Sequence, residues 1–186
     1  VDSGTQVIGN LSFKQDATSA ADRATEAART WLMTPGRDLS VDSAGGVGYY
    51  ATSQDNLDPT GRLTSSSRLM AVVNWGDADS CACLSTSPVS CASCSRQPSD
   101  EISLNGGTVR ARYIITRLCP LTGTVSDTNA CAQPAVLAIS DTKNRGDQAY
   151  GGGSPAAPAA QAPYYRIVVR TVSGRNTVSF TETMLY

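Results

Sequence analysis

The sequence predicts an α+β domain in which a long N-terminal amphipathic helix packs on an antiparallel β-sheet of about four strands, joined by long loops. Two patterns carry this prediction. Apolar residues recur at helical spacing in the first part of the chain, and segments with alternating apolar side chains follow later. A chain of 186 residues is long enough for one domain with its own hydrophobic core.

The helix is predicted over residues 5–33, and Pro35–Gly36 ends it. Its apolar stripe repeats every three or four residues, which places these side chains on one face: Phe13, Ala17, Ala20, Ala24, Ala27, Ala28 and Trp31. Because most of the stripe is alanine, it suits close packing against a sheet or against other helices of an assembly. Two interpretations stay open. The segment is the core helix of an α+β domain, or it is the end of a longer helix whose apolar pattern continues toward Val1.

The region after the helix predicts a long irregular connection over residues 37–67, rich in Gly, Ser, Asp and Asn and anchored by Tyr49 and Tyr50. Alternation then indicates strands at Leu69–Trp75, at Val109–Arg117 and, more weakly, near Val136–Ile139.

The C-terminus predicts a β-hairpin. Its strands are Tyr165–Val172 and Thr177–Tyr186, and residues 173–176 have the composition of a turn. The chain is therefore divided, as a single domain, into a helix over 1–34, a connection over 35–67 and a sheet region over 68–186 with a cysteine-rich insert at 77–98.

Composition and charge argue against several function classes. Lys and Arg number 15 against 16 Asp and Glu, so the net charge of -1 gives no electrostatic reason to expect binding of nucleic acid or of an acidic membrane surface. Histidine is absent, which removes the usual general base and the commonest metal ligand. We therefore expect no catalytic site, no metal and no cofactor. The chain starts at Val1 without a signal peptide, so we expect a processed or truncated product whose export signal lies upstream.

Six cysteines in a chain of this length predict disulfides and an oxidising compartment. Six cysteines allow fifteen connectivities, which the sequence does not resolve. The preferred pair is Cys119 with Cys131, because the loop between them leaves the end of the strand at Val109–Arg117 and returns to the next strand.

The other four cysteines, Cys81, Cys83, Cys91 and Cys94, form a C-x-C-x₇-C-x₂-C cluster. Nested disulfides, Cys83 with Cys91 and Cys81 with Cys94, would tie down a loop that has few apolar residues. Two alternatives are weaker. Zinc prefers C-x₂₋₄-C spacing, and a redox C-x-x-C motif normally lies beside a βαβ pattern.

Two further motifs lead to structural interpretations. The segment GGGSPAAPAAQAP at 151–163 lacks the Lys-Ser/Thr and the following helix that phosphate binding needs, so it is interpreted as a flexible loop. Arg110 and Arg112 lie on one face of their strand and Arg117 on the other with Tyr113. This pattern indicates either a binding stripe or the solvated face of an amphipathic strand.

Three segments together resemble a known family. GNLSFKQDATSAADRATEAARTWL (9–32) resembles the helix of PilX-type minor pilins of type IV pili. VRARYIITRLCP (109–120), followed by Cys131, and YYRIVVRTVSGRNTVSF (164–180) resemble the sheet of the same family. These segments cover under half of the chain. The resemblance implies a pilin fold, seen here as an ectodomain that lacks the hydrophobic N-terminal half of its helix.

For function, the resemblance implies a minor pilin that helps to initiate pilus assembly and forms part of the tip complex, supporting twitching motility and adhesion. Its partners would be other minor pilins, the major pilin and a PilY-type tip adhesin. It would lie in the inner membrane and periplasm of a Gram-negative bacterium before assembly and in the extracellular pilus afterwards, with membrane contact only through the missing helix. Two alternatives remain: a minor pseudopilin of a type II secretion system, and a free-standing, disulfide-stapled secreted adhesin.

Overall fold

A single long helix precedes all the strands in the computed structural model, which describes residues 3–61, 71–76, 96–134 and 162–186. Helix α1 comprises 30 residues, Ser3–Leu32, close to the predicted bounds. The strands in the described ranges are β1 (Tyr49–Tyr50), β2 (Leu57–Asp58), β3 (Ala71–Val72), β4 (Ile102–Leu104), β5 (Val109–Arg117), β6 (Tyr165–Ser173) and β7 (Thr177–Leu185).

Within the part of the chain that the structure describes, the main sheet has five strands and is mixed. Strands β5, β6 and β7 pair antiparallel in that order, and β4 pairs antiparallel with β5. Strand β1 pairs parallel with β5, with Tyr49 opposite Ile115. The α+β class is therefore confirmed, but the prediction of a purely antiparallel sheet is wrong, because the connection after the helix enters the sheet at β1.

Both faces of the main sheet are covered. On one face the helix alanines pack against a cluster that includes Tyr49, Tyr113, Ile115 and Ile167. On the other face the parallel pair β2–β3 and nearby side chains bury a second cluster, whose members include Tyr50, Leu57, Val73, Trp75, Ile114 and Val168. Consecutive residues of these strands therefore contribute to opposite faces of the sheet: Tyr49 and Tyr50 of β1 lie in different clusters, and so do Ile114 and Ile115 of β5.

Other segment predictions have mixed outcomes. Strand β5 has the predicted bounds, and β6 and β7 form the predicted hairpin around the turn Gly174–Asn176. The prediction of an irregular connection over 37–67 is wrong where β1 and β2 form. Of the strand predicted at Leu69–Trp75, Leu69 and Met70 lie outside the described residues, and the described remainder contains the two-residue strand β3. The predicted strand near Val136–Ile139, the cysteine cluster at 81–94 and most of the segment 151–163 lie outside the described residues.

No helix within the described ranges combines the length and the apolar character that crossing a membrane requires.

Candidate functional site

The apolar stripe of α1 lies on the sheet. Four of its alanines, Ala17, Ala20, Ala24 and Ala28, are buried. Ala27 and Trp31 are partly buried and pack against the same cluster. Phe13 packs against the β6–β7 turn so closely that a Cβ added to Gly174 would lie 2.9 Å from Phe13 Cε1. The stripe residues named from the sequence therefore all lie on the helix face that meets the sheet.

The opposite face of α1 carries the exposed side chain of Leu11 at its start and is polar from there to residue 30. Thr18, Ser19, Asp22 and Arg23 are exposed, and Arg29 forms an ion pair with Glu26 at 3.6 Å, one helical turn away. A partner that contacts this part of the helix would therefore meet hydroxyl and charged groups and not the alanine stripe.

Aromatic contacts hold the C-terminal end of α1 to the connection that follows. The rings of Trp31 and Tyr49 lie 5.1 Å apart, and the Arg37 guanidinium lies 4.6 Å from the Trp31 ring centroid. The Tyr49 hydroxyl donates to the carbonyl of Leu39 at 2.6 Å. Burial of this phenol raises the pKa of Tyr49. The end of the helix, the connection and β1 are thereby joined.

Arg117 is a buried cation at the end of β5. Its Nε donates to the carbonyl of Ala51 at 3.1 Å, and one terminal nitrogen donates to the carbonyls of Gly123 at 2.6 Å and Leu121 at 3.4 Å. Charge-assisted bonds of this kind are stronger than neutral ones, so Arg117 ties the connection to the loop that follows β5. Its position on the Tyr113 face was predicted from alternation, but its carbonyl partners were not.

The loop after β5 is closed by a disulfide between Cys119 and Cys131, which confirms the predicted pairing. Inside the loop, the Asn129 side chain accepts from the amide of Leu121 at 3.0 Å and donates to the carbonyl of Thr124 at 3.2 Å. Asn129 is 4% exposed and acts as the internal scaffold of the loop. Sequence reasoning missed it, because an Asn in a polar loop carries no distinctive signal.

This disulfide loop also presents apolar side chains to solvent. Leu121 is 55% exposed and Val125 is 40% exposed. The rest of the loop is anchored by the disulfide and by Asn129, so these side chains are held on an ordered segment. Ordered loops with exposed apolar residues are suitable contact surfaces for other proteins.

A second surface feature is a groove of about 510 Å³ between the end of α1 and the end of β7. Apolar residues contribute most of its lining: Leu32, Met33, Leu39, Tyr165, Leu185 and Tyr186. Glu26 and Arg29 lie at its helix side.

On the other face of the sheet, Arg110 and Arg112 share one carboxylate. Glu101 lies 3.7 Å from Arg110 and 3.8 Å from Arg112. Arg112 stands directly opposite Arg170 of β6. Arg110 and Arg112 therefore share the face that alternation predicted, and both take part in ion pairs there.

Hydrogen bonds from the hydroxyl and the amide of Ser40 lower the pKa of Asp38, which caps a turn. Among the residues that the structure describes, no group of three or more Cys, Asp and Glu is placed to hold a metal ion. Comparison of the chain with protein-family models, curated proteins and solved structures finds no match in any of the three.

Proposed function

We propose that this chain is the extracytoplasmic part of a minor pilin, which helps to initiate type IV pilus assembly and forms part of the pilus tip complex in support of twitching motility and adhesion. The observation that carries the proposal is the length of α1 compared with the sheet on which it packs.

The packed part of the helix matches the sheet in length. Phe13 contacts the β6–β7 turn at one end, and Leu32 lies beside Tyr165 and Leu185 at the other. From Phe13 to Leu32 an α-helix rises about 28 Å, and a nine-residue strand such as β6 is about 30 Å long. The helix nevertheless begins at Ser3, so about 15 Å of it precedes the contact at the turn.

Completing the core requires only the part of the helix that packs on the sheet. A pilin uses such a continuation to link its globular part to a membrane-inserted segment, which later packs into the fibre core. The proposed partners are other minor pilins, the major pilin and a PilY-type tip adhesin. The proposed location is the inner membrane and periplasm, and then the extracellular pilus.

A minor pseudopilin of a type II secretion system would use the same continuation, whereas a free-standing secreted adhesin would not need it. The residues encoded upstream of Val1 separate these classes. A short basic leader followed by about 20 apolar residues supports the pilin or pseudopilin class. A cleavable signal peptide ending at Val1 contradicts both.

The functional test uses the full-length gene in its own bacterium. Deletion is expected to reduce surface pili and twitching, and reintroduction of the gene to restore them. Loss of protein secretion with normal pili would instead identify the pseudopilin.

Two variants at Ser12 test whether a continuous helix is required. Ser12 is exposed and directly precedes the packed segment. Ser12→Pro removes one helical hydrogen bond and introduces a clash one turn upstream, at a cost of about 3 kcal/mol to the helix. Ser12→Ala, the control, keeps the helix intact. We expect S12A to restore pili and S12P to fail, although both proteins accumulate and show the same sheet stability. Equal restoration by both variants would contradict the proposed role of the helix.

A further inference from the structure

Strand β7 forms a long edge of the main sheet. All nine of its residues pair with β6, from Thr177 opposite Ser173 to Leu185 opposite Tyr165. No described residue pairs with its other side. By contrast, β1 has two residues and β4 has three. Along about 30 Å of β7, the backbone N–H and C=O groups of alternate residues therefore point away from β6, toward the position of a further strand.

Among the described residues, most of the usual protections against strand pairing are missing from this edge. The sequence TVSFTETML contains no Lys and no Pro, and the register with β6 runs without a skipped residue, so no bulge turns the edge away. Its one charged residue, Glu182, accepts from Arg166 of the neighbouring strand at 2.9 Å. An edge with this composition favours the addition of a strand.

The side chains of β7 are complementary to a second copy of the same strand. Thr181 is its central residue, and an antiparallel pair centred there places Val178 opposite the second copy's Met184. Val178 is 37% exposed and Met184 is 47% exposed, and both project on the same face. On that same face Glu182 would lie opposite Phe180, an aromatic ring and not another acid, and on the helix-facing side Ser179 would meet Thr183.

Helix α1 leaves room for the second strand. The helix-facing residues Ile167, Val169 and Thr171 of β6 are buried, whereas Thr181 of β7 is exposed. The two-fold axis of an antiparallel pair stands perpendicular to the sheet, so both helices lie on the same side, separated by the paired β7 strands.

We propose that two copies of this chain associate through antiparallel pairing of their β7 strands about a two-fold axis at Thr181, which makes one continuous sheet. A single pair of strands buries less than the area of about 1,200 Å² that characterises a stable standard interface. The dimer is therefore weak, with a dissociation constant between about 10 μM and 1 mM. This association is independent of the role in a pilus.

The test is sedimentation of the 186-residue chain, with disulfides intact, over a concentration series that spans this range. Hydrogen exchange at the β7 amides is followed in parallel. We expect a reversible dimer that dissociates on dilution, and β7 amides that become protected as the dimer forms. A monomer throughout the series overturns the proposal. Full protection of both edges of β7 in the dilute monomer overturns it too, because the edge would then be covered within one chain.

Introducing a charge at the two-fold axis tests whether β7 forms the interface. Thr181→Lys puts two like charges directly opposite each other in the dimer, whereas in the monomer the new side chain is exposed to solvent. We therefore expect the dissociation constant of the dimer to rise at least about five-fold. Thr181→Glu is expected to do the same. A mixture of T181K and T181E is expected to restore association to within about two-fold of the unmodified chain.

Thr177→Lys is the matched control. Thr177 is also exposed on β7, but in the proposed dimer it lies opposite Leu185 of the second copy and not opposite the second copy's Thr177. We expect this variant to change the dissociation constant by less than about two-fold. A dimer that T181K does not weaken, or a mixture that does not recover, shows that any association uses another surface and overturns the proposal.

Discussion

Replacing Gly48 by alanine is expected to destabilise the chain strongly, because this residue lies where the connection meets the sheet. Its carbonyl accepts from the amide of Ile115 at 2.8 Å, and its φ is +67°. A Cβ at this position would lie 2.6 Å from Ser99 N, 2.8 Å from the carbonyl carbon of Pro98 and 2.8 Å from Tyr113 O. All three are backbone atoms, so no side-chain rotation relieves the contact.

Two separable costs make up the expected loss of stability. The left-handed conformation costs an alanine about 1–2 kcal/mol, and displacing packed backbone adds about 1–3 kcal/mol. We therefore expect Gly48→Ala to lower the free energy of unfolding by about 3 kcal/mol. Gly106 has the same φ of +67° but open space around it, so Gly106→Ala measures the conformational cost alone. Gly45 has neither constraint, and Gly45→Ala is expected to be neutral or stabilising by about 0.5 kcal/mol.

The assay is urea unfolding of the four proteins with disulfides intact, followed by circular dichroism. The expected order of destabilisation is Gly48→Ala, then Gly106→Ala, then Gly45→Ala. If G48A and G106A agree to within about 0.5 kcal/mol, the close approach of the backbones contributes nothing and the reasoning is refuted.

Three other predictions concern the same free energy of unfolding. Replacing Cys119 and Cys131 together by alanine opens a loop with a sequence separation of 12, which is expected to cost about 3 kcal/mol in urea unfolding; an unchanged value would show that the disulfide does not constrain the unfolded chain. Ala24→Leu overfills the contact between helix and sheet and is expected to cost about 1–3 kcal/mol, whereas Ser19→Leu on the exposed face changes stability by less than about 0.5 kcal/mol; similar effects would mean that Ala24 is not closely packed. Alkaline pH is expected to destabilise the fold, because burial raises the pKa of four tyrosines, which keep protons that the unfolded chain releases. The four residues are Tyr49, Tyr50, Tyr113 and Tyr165. Their contribution to the free energy of unfolding is constant below about pH 10 and falls above it by up to about 1.4 kcal/mol per pH unit for each group. Unfolding measurements and tyrosinate absorbance above about pH 10 check this prediction, and four tyrosines that all titrate as in the unfolded chain would contradict it.

Part of the candidate site was predictable, and the rest depended on distant segments. The alanine stripe follows from helical spacing, and the pairing of Cys119 with Cys131 follows from the position of their loop after a strand. The roles of Arg117 and Asn129 did not follow. Arg117 reaches the carbonyl of Ala51, 66 residues away in the chain, and Asn129 bonds to backbone groups whose positions depend on how the loop folds.

Short strands show the same limit. Tyr49 and Tyr50 were recognised as apolar anchors in a polar connection, but a two-residue strand is too short to show alternation. Their parallel pairing with β5, and the burial of the two rings on opposite faces, became evident only in the folded chain.

The order of a long helix, a connection, a strand and a C-terminal hairpin could be derived from the sequence alone, because helical and strand periodicity reflect local backbone geometry. Tertiary structure decided which strands are neighbours, that β1 runs parallel to β5, that both sheet faces are covered and that, among the described strands, β7 lies at an edge. These features depend on contacts between residues far apart in the chain, where packing and hydrogen bonding select among arrangements that local pattern leaves equally possible.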